Sequence, residues 1–129
     1  MKRNQTRQPK SQKPAKTAIQ RVRSICLSLP DTKETLTWGK PHFRVNDKIF
    51  AGCDEEEGGL VIGFKLLPLH AQEIIKDHRF RRAPYVGHKG WVSMTISEVE
   101  DWDEVRELIL ESFRLIATKR TLAKLDEAV

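Results

Sequence analysis

The chain contains no run of 18 or more apolar residues, so no helix in it would cross a bilayer. Cysteine is scarce. Cys26 and Cys53 are the only two, and no CxxC pair or His-rich spacing accompanies them, which argues against a zinc site. Both lie in apolar patterns, where a free thiol behaves as a small hydrophobe, so a reducing compartment is expected. Charge near the N-terminus is not followed by an apolar segment, which excludes a secretory signal. The same stretch has too many prolines for an amphipathic presequence, and a cytoplasmic location is expected. No P-loop is present. Gly87-His88-Lys89-Gly90 has the wrong glycine spacing and leads into a strand pattern. Ser93 lacks nucleophile-elbow glycines, and the four histidines show no catalytic spacing. A non-enzymatic protein without a cofactor is the expectation.

Acids are absent from residues 1–16, which hold six bases (Lys2, Arg3, Arg7, Lys10, Lys13, Lys16). The other 113 residues carry 17 bases and 18 acids, so the net charge of +5 belongs to the tail. Such a tail has little to bury and is expected to be disordered. Residues 17–129 are the length of one domain with a core of its own.

Hydrophobic periodicity divides that domain. Ile19, Val22, Cys26 and Leu29 form a helical stripe over 17–28, with Thr17 as its cap and Pro30-Asp31 as its end. A short strand over 35–38 leads into a Trp38-Gly39-Lys40-Pro41 turn. Residues 42–46 and 48–54 read as strands joined at Asn46-Asp47, and 60–66 as a further strand. The acidic segment 54–59 reads as a solvated hairpin tip rather than a cation site. Pro68 opens a helix to about Asp77, and a basic loop follows over 78–83. Residues 91–96 form the next strand. Asp101 and Glu104 are spaced as a capping box for a last helix reaching Lys119, with a continuation through Leu122 and Leu125. Trp102 is expected to anchor that helix to the core, and Trp38 and Trp91 to fill gaps over close backbone approaches at Gly39 and Gly90 in preference to stacking on a ligand. Short links between strands favour antiparallel pairing. The fold class is therefore α+β, a two-layer sandwich with an antiparallel sheet and helices on one face.

These segments resemble the MmcQ/YjbR-like family. The residues that carry the likeness are Trp38-Gly39-Lys40-Pro41-x-Phe43, Lys48-Ile49-Phe50-Ala51, Lys65-Leu66, Pro84-Tyr85-x-Gly87-x-x-Gly90-Trp91-Val92 and Asp101-Trp102. The likeness covers about residues 19–120 and implies the order α-β(3)-α-β(2)-α. It also implies a double-wing DNA-binding module, an expectation that rests on the fold alone. No catalytic residue transfers with it.

Strand alternation predicts what the sheet offers. With Phe43, Val45, Ile49, Ala51, Leu60, Ile62, Phe64, Leu66, Val92, Met94 and Ile96 under the helices, the other face shows His42, Arg44, Lys48, Phe50, Gly52, Gly63, Lys65, Trp91, Ser93 and Thr95. Arg44, Lys48 and Lys65 would hold phosphates of double-stranded DNA. Phe50 or Trp91 would stack on a base, and Lys40, Lys89, Arg81 and Arg82 would extend the patch. Two alternatives stay open: a protein-interaction module like secretion chaperones, and a small-anion pocket at Tyr85, His88 and Lys65.

Overall fold

The computed structural model describes residues 13–56, 59–83 and 89–127. The chain runs α1 (Lys13–Leu27), β1 (Thr32–Thr37), β2 (Lys40–Val45), β3 (Lys48–Glu56), β4 (Gly59–Lys65), α2 (Pro68–Ile74), β5 (Phe80–Arg82), β6 (Trp91–Thr95), a 3-10 turn (Ile96–Glu98), α3 (Trp102–Ile116) and α4 (Lys119–Glu127). One antiparallel sheet, ordered β1-β2-β3-β4-β6-β5, holds all six strands. The α+β class and the one-sided helix layer are as the sequence implied.

Four elements depart from expectation. Helix α1 starts at Lys13, so Thr17 lies inside it rather than capping it. The short strand expected over 35–38 is a full edge strand, β1, in register with β2 from Thr32↔Val45 to Thr37↔Lys40, so four strands precede α2 where the family order implied three. The 78–83 segment contains the opposite edge strand, β5, paired to β6. The last helix does not continue: Ala117 turns to an extended conformation (ψ 151°) and α4 begins separately. Thr118 N–H donates to the Asn46 side chain, which satisfies a donor at the start of α4 that has no partner within the helix.

Other expectations hold, except at Glu104. Pro68 occupies the start of α2, where its missing N–H costs nothing. Asp101 caps α3 by accepting from Asp103 N–H at 2.9 Å. Glu104 does not complete a capping box. Its carboxylate instead takes the Arg79 guanidinium at 2.8 Å. Asn46 and Asp47 both have positive φ, as a two-residue hairpin turn requires.

The core lies between the sheet and the helices. Phe43, Phe50, Phe64, Ile62, Leu66 and Met94 from the sheet meet Val22 and Cys26 of α1 and Ile109 and Phe113 of α3. Phe50 and Phe113 pack edge to face with ring centroids 5.5 Å apart. Trp102 packs against the core, as expected, with Arg21 lying over its ring. The hairpin turn is bonded to the C-terminal helix: Asn46 donates to Thr121 Oγ1, which donates in turn to Asp31.

Candidate nucleic-acid interface

The register defines the face that carries no helices. Thr35, His42, Gly52, Gly63, Ser93 and Arg81 form one row across it, strand by strand. Lys33, Arg44 and Ile49 form a second row, and Lys65 pairs with Trp91 in a third.

Ile49 stands where Lys48 and Phe50 were expected, and a β-bulge is the reason. Phe43 pairs with Ala51, but Arg44 pairs with Ile49, so Phe50 is an extra residue on β3. Two residues opposing one turns both Phe50 and Ala51 into the core and reverses the alternation beyond them. Phe50 is fully buried and cannot stack on a ligand. Lys48 is exposed but pairs with Val45, a core residue, and so belongs to the helix side.

The bulge interrupts the β3–β4 ladder, whose last rung is Ala51↔Phe64. Ser112 of α3 occupies the missing rung. Its hydroxyl donates to Phe50 C=O at 2.6 Å and accepts from Lys65 N–H at 2.9 Å. Lys65 is thereby anchored through its own backbone with its side chain on the helix-free face.

The remaining cations differ in how they are held. Arg44 donates to Thr35 Oγ1 and to Asp47 C=O. Lys40 lies 3.5 Å from Asp54 and 3.6 Å from Glu55. Lys33 pairs with Asp47 and lowers its pKa, chiefly through the hydrogen bond. Arg81 reaches from the row to Glu56 at 2.8 Å and also to Thr95 Oγ1, across a strip where Val61, Ser93 and Thr95 are buried. Ser93 Oγ has no hydrogen-bond partner there. Among the described residues Arg44 and Lys65 pair with no carboxylate.

Other predicted members scatter. Arg82 pairs with Val92 and turns toward α2, lining a cavity of about 230 Å³ with Pro68 and Ile75. Lys89 is exposed just before β6. Tyr85 and His88 lie outside the described residues, and the anion pocket drawn around them with Lys65 does too. The expected glycine floor is only half open: the His42 ring lies over Gly52, whereas Gly63 keeps room for a Cβ. Trp91 is half-buried beside Gly90. Gly90 itself has φ 97°, and any Cβ there would collide with Leu66 C=O.

Two features escaped the sequence reading. Trp38, expected to fill a gap, is 94% exposed at φ 54°, with Leu36 70% exposed nearby. His70 Nδ1 meets Glu111 Oε1 at 2.8 Å, and the other carboxylate oxygen of Glu111 accepts from Leu67 N–H. A separation of 41 residues hid that pair. Among the described residues no cluster of three or more metal-ligating side chains occurs, and no helix is long and apolar enough to cross a membrane.

The sequence model of the YjbR family matches residues 27–115. The chain belongs to the YjbR family. Among solved structures, this YjbR domain is similar to the Deinococcus radiodurans protein DR2400, a DUF419 domain, with TM-score 0.70 and 22% identity over 84% of this chain and 87% of that one. It is also similar to a Pseudomonas syringae protein, with TM-score 0.58 and 20% identity over 84% and 98% of the two chains. Identities this low carry the fold alone. No curated protein matches.

Proposed function

We propose that this YjbR domain is a non-enzymatic nucleic-acid-binding module that meets double-stranded DNA with the helix-free face of its sheet. One observation carries the reading: of the cations on the helix-free face, Arg44 and Lys65 pair with no carboxylate among the described residues. Lys33, Lys40 and Arg81 stand on or beside the same face and are partnered by Asp47, by Asp54 and Glu55, and by Glu56 respectively. A body with slightly negative net charge thus keeps two cations free of carboxylate partners on an open face, where phosphates can reach them. Arg44 and Lys65 are the anchors. Arg44 is oriented by two hydrogen bonds, and Lys65 by the Ser112 rung. Trp91 stands directly across from Lys65 and is only half-buried, which leaves part of its side chain open to a sugar or base.

The test is fluorescence anisotropy of labelled duplex DNA with the full chain, titrated over a salt series. One variant carries Arg44→Glu and Lys65→Glu, and a second replaces Lys2, Arg3, Arg7 and Lys10 with glutamine. Each phosphate contact adds about 0.9 to the slope of log affinity against log salt, so the face variant should lower it by about 2. If the face variant binds like the parent and only the tail variant weakens, the sheet is not the contact surface.

A further inference from the structure

The β1–β2 turn is two residues long, and both have positive φ: Trp38 at 54° and Gly39 at 78°. Asn-Gly is the low-strain sequence for such a turn, because asparagine tolerates the left-handed region. Tryptophan there combines backbone strain with an indole left almost wholly in water, and Leu36 is exposed beside it. Nothing in the fold is stabilised by either side chain. Strain and apolar exposure at one tip are the mark of a contact made with another body.

A matching recess lies elsewhere. Leu67, Leu108, Leu110 and Leu115 line a groove of about 440 Å³ between α2 and α3, edged by Glu107 and Arg114. Its walls are fixed in place, because Glu111 of α3 accepts from both Leu67 N–H and His70. The space takes an indole and a leucine side chain together.

We infer that the tip of one molecule seats in the groove of a second copy. The tip and the groove lie at opposite ends of the sheet. The Trp38 turn is at the end where β3 passes to β4, and Leu67 follows β4 at the other end. β3 alone has nine residues, about 30 Å of strand, so the two cannot meet within one chain. Charge fits as well. Lys40 beside the tip, already near Asp54 and Glu55, meets Glu107, and Arg114 on the groove, 3.8 Å from Asp126, meets Asp54 and Glu55. The same two acids disfavour nucleic acid at this tip. An aromatic side chain buries roughly 150–250 Å² and the groove wall that it covers loses a similar area, so the contact removes on the order of 400 Å² from water. That is below the roughly 1,200 Å² of stable complexes, and the association is accordingly weak and concentration-dependent.

Sedimentation velocity of the full chain without nucleic acid, from micromolar to near-millimolar concentration, tests this. The mean mass should rise with concentration. Trp38→Asn, which keeps a residue suited to the turn, and Leu115→Lys, at an exposed wall of the groove, should each stay monomeric while melting as cooperatively as the parent. An equimolar mixture of the two variants retains one intact groove and one intact tip, and should form a one-to-one pair. A parent chain monomeric throughout, a variant that associates like the parent, or a mixture that stays monomeric would each overturn the inference.

Discussion

Ser112→Ala is the sharpest probe of how the sheet is held. The hydroxyl is fully buried and serves two backbone groups, Phe50 C=O and Lys65 N–H, which the bulge has separated. Alanine removes one methylene-bound oxygen and leaves an unpaired acceptor and an unpaired donor away from water. Each costs about 1–3 kcal/mol, so a loss of about 3 kcal/mol is expected. Domains of this size have only about 5–15 kcal/mol in total, so a loss of that size is easily measured. Equilibrium urea unfolding is the assay: the midpoint should fall while the slope stays that of the parent. A loss below about 1 kcal/mol would refute the reasoning. It would mean that Phe50 and Lys65 close their own rung, and that the bulge does not depend on α3.

Gly90→Ala places a Cβ against Leu66 C=O at a φ of 97°, and a loss of about 3 kcal/mol or more, or failure to fold, should appear in thermal melts. Trp38→Asn relieves a strained turn without removing an internal contact, and should raise stability by about 0.5–1 kcal/mol in the same urea assay. Asp77 titrates at about 2 rather than 3.8, chiefly because Arg79 hydrogen-bonds its carboxylate. Its contribution is complete above the unfolded value and is lost as pH falls through the folded one. The stability of Asp77→Asn should therefore change less than that of the parent between about pH 4 and pH 2.

Much of the architecture was legible because it rests on local chemistry. Pro68, the Asp101 cap and the Asn46-Asp47 turn each act within a few residues, and each appears where its pattern put it. The candidate face was legible only in part. Alternation located Arg44, Lys65 and Trp91, because the bulge puts its extra residue on β3 and leaves the alternation of β2, β4 and β6 unbroken. It misplaced Lys48, Ile49 and Phe50, because a bulge depends on what the neighbouring strand and α3 demand, and neither is adjacent in sequence. Trp38 was misread for a related reason. Trp-Gly is a common way to cover a close backbone approach, but here Gly39 has nothing within reach, and the glycine serves its own positive φ instead. The end of α3 was misread because Thr118 is capped from Asn46, 72 residues away.

That distant cap has a consequence for how the chain is made. Asp31, Asn46 and Asp47 sit in left-handed conformations early in the sequence, and Asp31 and Asn46 are bonded to residues between 118 and 124. During synthesis α1 and the first hairpin emerge long before those partners. The early turns lack these partners until residues 118–124 leave the ribosome. Loop closure over 75 to 90 residues then locks both ends of the fold in a single late step.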